Sequence, residues 1–331
     1  MRTRFPAQTD VYTRLPLRRI MGRMNFASII KEIGRGAKGA RAMDVGTAEA
    51  LFGAMLDGSV PELELGAILI ALRVKSESLP ELIGFKRAMD ARCARVELPA
   101  GPRCVILPSY NGARRQANLM PLLAQLVARE GVPVLIQGRH DFEHRSAPFE
   151  LLAALDIQPA ADAASAADHL VQRGIACLPL ETLLPGLARL LALRPRLGVR
   201  GSGHTMAKLL DPCPGHSVRV VAVTHPEYLE RMHAFLQEDG GVSMLLRGTE
   251  GEAFANPRRR PRMEIFRHGA AMEAWPAEAG GAPPLAGLPD VPDIVENARL
   301  IRDMLAGRVE IPRPVQEQAA TLVELAREQA S

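Results

Sequence analysis

From Arg103 onward, short apolar runs alternate with longer stretches of helical pattern, and this alternation constrains the fold more than any other feature of the sequence. The apolar runs are residues 104–108, 132–138, 175–180, 217–226 and 242–248. Strands that alternate with helices are typical of a parallel sheet built with right-handed crossovers. We therefore predict an α/β domain with a mostly parallel sheet over residues 95–331. Within it, residues 270–290 are rich in glycine, proline and alanine, which predicts a loop or covering segment.

The chain before this region shows helical patterns only. Apolar side chains recur at helix spacing from residue 26 to residue 33, and further helical segments follow. Residues 63–72 are apolar on nearly all sides, which is typical of a helix buried in a core or in a subunit contact. We predict a small all-helical domain over residues 24–94, with residues 181–208 packing back on it.

Composition limits the class of protein. Apolar residues make up 47% of the 331 residues, which is enough for a sizeable core. No apolar run reaches the ~18 residues of a membrane span, and the start lacks the apolar stretch of a secretory signal. The four cysteines lie far apart, so we interpret them as thiols in a reducing compartment and expect the protein in the cytoplasm.

The positive charge of the chain is concentrated at its start. Residues 1–23 contain six arginines and one aspartate, a net charge of +5, whereas the whole chain has +4. The remainder therefore has a net charge of −1, and it can bind a polyanion only if its basic residues are gathered on one face. We interpret residues 1–23 as a basic, disordered extension.

A basic segment also lies inside the folded region, at residues 194–212. Four basic side chains and His204 surround the closely spaced glycines Gly201 and Gly203 there, and no acid occurs before Asp211. Because glycine lets a ligand approach the main chain closely, this segment is a candidate for binding an anion. The alternative is a loop between two helices whose charges are simply solvated.

Residues 34–39, GRGAKG, match the G-x-G-x-x-G pattern of dinucleotide-binding loops. That pattern requires a preceding strand, whereas a helical pattern precedes it here, so we reject this interpretation. The segment is either a glycine-rich helix end or a basic loop that brings Arg35 and Lys38 near an anionic ligand.

Residues 140–144, HDFEH, match the zinc-binding pattern H-x-x-E-H. That pattern requires a full helix, and a glycine before it, a proline after it and polar residues between argue against one. We instead interpret Arg139, His140 and Arg145 as part of a surface loop at the strand ends, where α/β proteins bind ligands.

Residues 67–89, AILIALRVKSESLPELIGFKRAM, resemble the anthranilate phosphoribosyltransferase family, in which this region reads A-L-R-x-K-G-E-T, then E-x-x-G and A-M. The match in order and spacing runs from about residue 24 to the end. The resemblance implies the fold shared with nucleoside phosphorylases and a homodimer formed through the helical domain. Within this superfamily the chain most resembles the YbiB branch, whose members keep the transferase fold but are similar to nucleic-acid-binding proteins rather than enzymes.

Two loops of the family pattern are altered in this chain. The pyrophosphate loop G-T-G-G-D corresponds to residues 108–112, PSYNG, which keep one glycine and gain a proline without a backbone donor. The pattern K-H-G-N-R corresponds to residues 136–140, IQGRH, which lack the lysine. Arg114 and Arg115 follow the first loop at once, so positive charge persists where the phosphate-binding pattern is lost.

The metal-binding pair of the family is also altered. Its two acids correspond to Ala253 and Phe254, neither of which offers the hard oxygen ligands that magnesium prefers. Glu250 and Glu252 lie near this place but at another offset. Arg200 matches the arginine that holds the aromatic acid in the enzymes. We therefore predict no catalytic site, no metal and no cofactor.

These features predict a protein that binds DNA or RNA through a basic groove, mainly by sequence-independent phosphate contacts. Aromatic residues are only 4% of the chain, so an extensive base-stacking surface is not expected. The predicted contacts are Arg35, Lys38, Lys75, Arg114, Arg115, Arg139, Arg145, Arg200, His204 and Lys208. The alternatives are an enzyme of altered chemistry on a phosphorylated small molecule and a structural dimer that binds no polyanion.

We expect no phosphoribosyl transfer to anthranilate. Loss of one donor that stabilises developing charge costs about 3 kcal/mol of transition-state stabilisation, and here the loop, the lysine and the metal acids all differ. A sensitive product assay with magnesium and purified protein checks this. Metal-dependent turnover that is proportional to protein and disappears in a cleft variant would contradict it.

Overall fold

The computed structural model describes residues 24–139, 148–285, 287–288 and 293–328. The basic extension at residues 1–23, the zinc-like pattern at residues 140–144 and Arg145 lie outside the described residues.

Helices alone make up the first part of the described chain. They are α1 (Phe26–Ile33), α2 (Gly36–Gly39), α3 (Val45–Leu56), α4 (Glu62–Lys75) and α5 (Leu79–Asp90). Asn25 caps α1 and Asp44 caps α3, while Ser78 and Glu81 form a capping box at α5. The dinucleotide-like pattern at residues 34–39 follows helix α1, so it lacks the preceding strand that a nucleotide loop requires.

The described residues of the second part form one seven-stranded sheet with the order β3-β2-β1-β4-β5-β6-β7. Its strands are β1 (Cys104–Ser109), β2 (Val134–Gly138), β3 (Ile175–Pro179), β4 (Ser217–Val223), β5 (Val242–Arg247), β6 (Met263–Arg267) and β7 (Ala270–Trp275). The pairs among β1 to β5 are parallel, and β5-β6-β7 are antiparallel. The predicted α/β fold with a mostly parallel sheet is therefore confirmed.

The connections between the strands are largely helical. The helices are α6 (Met120–Arg129), α7 (Pro148–Ala154), α8 (Ala163–Arg173), α9 (Leu180–Leu183), α10 (Pro185–Ala192), α11 (Arg194–Leu197), α12 (Ser202–Met206), α13 (Pro226–Asp239), α14 (Ile294–Leu305) and α15 (Arg313–Arg327), with a 3₁₀ turn at Ala207–Leu209. The basic segment at residues 194–212 thus contains two short helices and this turn.

Both faces of the parallel part of the sheet, β1 to β5, are buried. Val105 and Leu107 of β1 pack with α6, α14 and α15, whereas Ile106 between them packs on the side of the helical part. Neighbouring side chains of a strand point to opposite faces, so helices on both sides produce two cores. This explains why the strands read as nearly continuous apolar runs.

The prediction of a loop or covering segment over residues 270–290 is wrong for its first part, which forms strand β7. This strand lies at the edge of the sheet, and its side chains are largely exposed, so it lacks an apolar run. Pairing with β6 and a hydrogen bond from Trp275 Nε1 to Thr321 Oγ1 (2.9 Å) stabilise it instead. Glu273 in this strand pairs with Arg262 at 2.9 Å.

Helix α10 packs closely on α3. A Cβ atom at Gly186 would lie 2.2 Å from the backbone oxygen of Leu56, so only glycine permits this approach.

The boundary between the two predicted domains at residue 95 stays a prediction. In the described ranges, no helix is both long and apolar enough to cross a lipid bilayer.

Candidate functional site

Loops that follow four parallel strands meet at one edge of the sheet. Residues 110–115 follow β1, Arg139 follows β2, Thr224 and His225 follow β4, and residues 248–252 follow β5. Parallel strands place their carboxyl ends at the same edge, where open α/β sheets bind ligands. The candidate site is built here.

Glu252 binds the loop after β1 from within the chain. Its carboxylate accepts hydrogen bonds from the backbone N–H groups of Asn111 (2.8 Å) and Gly112 (3.0 Å) and from the Ser109 hydroxyl. Gly112 has a φ of 64°, which glycine adopts without strain. Glu252 is fully buried, and burial raises the pKa of its carboxyl although the hydrogen bonds oppose this shift.

Glu250 binds the next part of the same loop. Its carboxylate accepts hydrogen bonds from the backbone N–H groups of Arg114 (3.2 Å) and Arg115 (2.9 Å). Asn111 Nδ2 donates to the backbone oxygen of Glu250 (3.0 Å), and a Cβ atom at Gly251 would lie 1.7 Å from that Nδ2. Glycine at 251 is therefore required. Four backbone N–H groups of the loop thus bind carboxylates of the chain itself.

Lys208 connects this loop region to the basic segment. Its Nζ donates to the backbone oxygens of Ala222 (2.8 Å) and Gly251 (3.1 Å). Burial lowers the pKa of Lys208 to about 8, although the nearby Glu252 carboxylate raises it. The ammonium is held by internal oxygens, which argues against the predicted phosphate contact of Lys208.

A cavity of about 480 Å³, called the first cavity below, lies between α4, α12, β4 and α13. Its basic lining side chains are Arg73, Arg200, His204, Lys208, His225 and Arg231. Arg200 donates to Asn111 Oδ1 (2.7 Å), and Arg231 Nη1 lies 3.6 Å from the Glu77 carboxylate. Burial, followed by the charge of Arg200, lowers the pKa of His204 to about 4, so His204 is neutral near pH 7. Arginines therefore dominate the positive charge of this cavity.

Ser76 in the wall of the first cavity has a strained backbone. Its φ of 65° and ψ of 156° belong to a region that is nearly confined to glycine, the residue found at this position in the family pattern. Lys75 Nζ donates to the backbone oxygen of Ser76 (2.8 Å) and to the Glu81 carboxylate (2.5 Å). Lys75 is thus held in an internal ion pair, which argues against its predicted contact with nucleic acid.

A second cavity of about 930 Å³ adjoins the first at Thr224, which lines both. Its arginines are Arg115, Arg247, Arg259, Arg260 and Arg262. Arg260 pairs with Glu317 (3.0 Å) and Arg262 with Glu264 (2.7 Å), whereas the Arg115 and Arg247 residues are exposed. The two adjoining cavities, together called the groove, follow the carboxyl edge of the sheet.

The remaining predicted contacts lie in different places. Arg114 is exposed on the loop after β1, and the Arg139 side chain is 13% exposed with its Nε 3.7 Å from Glu181. Arg35 and Lys38 are exposed near α1 and α2 and are not among the described residues that line the groove. Tyr110 is buried and donates to Gln137 Oε1, so it offers no stacking face.

Six arginines of the groove were not among the predicted contacts, namely Arg73, Arg231, Arg247, Arg259, Arg260 and Arg262. Arg247 ends β5, so its place at a strand end was the available signal. Arg73 lies on α4 and Arg231 on α13, and only the packing of these helices brings both to the first cavity. The sequence pattern contains no sign of that meeting.

The residues present do not fit the magnesium site that the family implies. Ala253 and Phe254 are fully buried and have no side-chain oxygen, and the Glu252 carboxylate is held by Ser109, Asn111 and Gly112. Within the part of the chain that the structure describes, no three His, Cys, Asp or Glu side chains are grouped to hold a metal ion.

We expect the stability of the protein to report the burial of Lys208. The folded-state pKa is about 8 and the ordinary value is 10.5, so unfolding takes up a proton between these pH values and the free energy of unfolding rises with pH in that window. The wild type should gain about 2 kcal/mol over Lys208→Met across this window. Chemical denaturation of both proteins at several pH values measures this difference. If the free energies of unfolding of the two proteins change in the same way with pH, the lowered pKa of Lys208 is wrong.

Comparison with known proteins shows the family of this chain. The family model "Glycosyl transferase family, helical bundle domain" matches residues 27–93. The "uncharacterized protein YbiB" of Escherichia coli (strain K12) is 40% identical over 300 residues, which cover 90% of this chain and 93% of that protein. An anthranilate phosphoribosyltransferase of Methylocella silvestris is 27% identical over 251 residues, 75% of this chain and 71% of that enzyme.

Solved structures agree at the level of the fold. The crystal structure of anthranilate phosphoribosyltransferase from Thermus thermophilus matches with a TM-score of 0.72 at 22% identity, covering 90% of this chain and 88% of that chain. The enzyme of Saccharomyces cerevisiae in complex with PRPP and Mg matches with a TM-score of 0.68 at 14% identity, covering 90% and 86%. The chain therefore belongs to the YbiB family, within the superfamily of the anthranilate phosphoribosyltransferases.

Proposed function

We propose that this protein binds nucleic acid through the groove, mainly by sequence-independent contacts with phosphates, and does not transfer phosphoribosyl groups. The observation that carries the proposal is the arrangement of arginines along two adjoining cavities. Arg73, Arg200 and Arg231 line one, and Arg115 and Arg247 line the other. A row of arginines along a groove suits a polyanion with repeated phosphates better than a single small anion.

The loop after β1 supports the second half of the proposal. In a phosphate-binding loop the backbone N–H groups must be available to the ligand. Here those of Asn111 and Gly112 are bound by the buried Glu252. A sugar diphosphate would have to displace a fully buried carboxylate before it could bind. Ala253 and Phe254 offer no ligands to magnesium, which also argues against phosphoribosyl transfer.

The groove also explains why base recognition should be weak. Tyr110, the aromatic residue of the loop after β1, is buried, and neutral His204 contributes little electrostatic attraction. Base stacking and base-edge hydrogen bonding are the usual sources of sequence preference. Contacts from arginines to phosphates would leave affinity nearly independent of sequence.

The first cavity favours a second candidate function. Its volume of about 480 Å³ is suited to a small ligand, and apolar Val221, Val223 and Met232 line it beside the arginines. An enzyme of altered chemistry on a phosphorylated small molecule would use such a cavity. Saturable binding of a mononucleotide or sugar phosphate, without the steep salt dependence of a polyanion, would favour this candidate.

We also infer a homodimer formed through α4. Leu63 (83% exposed), Ile70 (39%) and Val74 (56%) lie on one face of this helix, whereas Leu69 is 4% exposed and belongs to the core. The exposed apolar face is narrower than the all-round pattern of residues 63–72 suggested. An exposed apolar stripe on a helix is suited to a subunit contact.

We expect arginines of the groove to set the salt dependence of binding. Replacing Arg73 or Arg247 with alanine should flatten the plot of log affinity against log salt by about 0.7 to 0.9 if each contacts one phosphate. Fluorescence titrations with unrelated single- and double-stranded oligonucleotides at several salt concentrations measure this slope. His204→Asn should leave it unchanged because His204 is neutral.

Two controls separate the groove from other basic residues. Arg173→Ala removes an equal charge from the exposed end of α8, which does not line the groove. Deletion of residues 1–23 removes the basic extension. If the truncated protein loses all binding while Arg73→Ala and Arg247→Ala behave as wild type, the extension is the binder and the groove proposal is wrong.

The dimer proposal predicts that Ile70→Asp combined with Val74→Asp gives soluble monomers. A charge on the exposed stripe would be buried without a partner in the dimer, whereas in the monomer it would be solvated. Analytical ultracentrifugation measures the mass. Val171→Asp is the matched control, because Val171 is equally apolar and 62% exposed but lies on α8. Double variants that remain dimeric would place the subunit contact elsewhere.

A further inference from the structure

Two carboxylates of the chain bind the loop after β1, and they differ in accessibility. Glu252 is fully buried and accepts three hydrogen bonds, from Ser109, Asn111 and Gly112. Glu250 is half-buried and lines the second cavity, and its carboxylate accepts hydrogen bonds from the backbone N–H groups of Arg114 and Arg115. Glu252 is therefore a fixed part of the fold, while Glu250 faces the place where a ligand would enter.

The backbone N–H groups that hold Glu250 are donors of the type that bind phosphate. Successive N–H groups that point to one side form an anion-binding concavity. The side chains of Arg114 and Arg115 are exposed beside these donors and add positive charge. A phosphate oxygen could make the same hydrogen bonds as the Glu250 carboxylate and would also meet two guanidinium groups.

The backbone at Glu250 is in an unfavourable conformation. Its φ is 52°, in the left-handed region that side chains with a Cβ atom seldom adopt. Its neighbour Gly251 packs against Asn111 and fixes the turn. The hydrogen bond from Asn111 Nδ2 to the Glu250 backbone oxygen (3.0 Å) and the contact of Gly251 with Asn111 hold this turn without the Glu250 carboxylate, so the side chain can leave while these contacts remain.

We propose that Glu250 is an internal competitor for nucleic acid: its carboxylate occupies the N–H groups of Arg114 and Arg115 in the free protein, and a backbone phosphate of a bound strand displaces it. This inference rests on the proposed nucleic-acid function and adds a built-in limit on affinity. The loop after β1 accordingly has one permanently occupied anion position, at Glu252, and one exchangeable position, at Glu250.

The first test compares two variants that remove the same charge from the same cavity. Glu250→Gln should raise the affinity for a labelled oligothymidylate by about tenfold, because it weakens a competitor bound by charge-assisted hydrogen bonds. Glu230→Gln is the matched control. Glu230 is exposed and lines the same second cavity, whereas the carboxylate that accepts from the N–H groups of Arg114 and Arg115 belongs to Glu250. Glu230→Gln should raise the affinity for the oligothymidylate only about twofold, because it removes one negative charge whose repulsion of the strand is screened by salt.

Glu250→Gly is a second variant that guards against misfolding. Glycine adopts the φ of 52° at this position without strain, so the variant removes the carboxylate and favours the native turn. It should show the same gain in affinity as Glu250→Gln. Equal affinities of the Glu250 and Glu230 variants would overturn the inference, and if Arg73→Ala still weakened binding the proposed function would stand.

The second test observes the exchange directly. Amide resonances of Arg114 and Arg115 in the full-length wild type should shift when oligothymidylate is added, while that of Gly112 stays, because Glu252 remains bound. Inorganic phosphate should shift the same two resonances in Glu250→Gly but not in the wild type. Shifts with phosphate alone, without any gain for the oligonucleotide, would overturn displacement by a strand. No oligonucleotide binding by any variant would overturn the proposed function together with this inference.

Discussion

The hydrogen bonds of the Glu252 carboxylate hold the candidate site together. They join the turn after β5 to the loop after β1. Lys208 connects the basic segment to the same turn, because its Nζ donates to the backbone oxygen of Gly251. A buried carboxylate is tolerated only when its oxygens are hydrogen-bonded, so these contacts depend on one another. Removing the carboxylate would leave buried backbone donors of the loop without partners, and the shape of the groove would change with them.

The structure contains two kinds of basic residue that look alike in a sequence, those held by internal contacts and those exposed along the groove. Lys75 and Lys208 are held inside by a carboxylate and by backbone oxygens, and His204 has lost its charge through burial. Arg73 and Arg247 instead remain exposed along the groove. The guanidinium group stays charged in either surrounding, whereas lysine and histidine titrate when buried. Most of the positive charge that lines the groove is therefore carried by its arginines.

The sequence predicted much of the fold and less of the site. The alternation of apolar runs and helical patterns is a local signal, and it led to the correct sheet class and to strands β1 to β5. Strands β6 and β7 were not predicted. Strand β7 has no apolar run because it is exposed and depends on pairing with β6. The position of Arg200 followed from a motif, but the meeting of Arg73 and Arg231 depends on helix packing. The role of Glu252 was hidden because its partners are more than a hundred residues away.

The exposed strand β7 has a consequence for how molecules of this protein meet one another. It ends the sheet, so one side of its backbone has no neighbouring strand in the described sheet and offers a template for strand addition from a second molecule. Glu273 stands in the middle of this strand and pairs with Arg262. An identical strand that added here would have to desolvate this ion pair and bring charged side chains together. At high protein concentration, this charge should keep molecules from pairing edge to edge through β7.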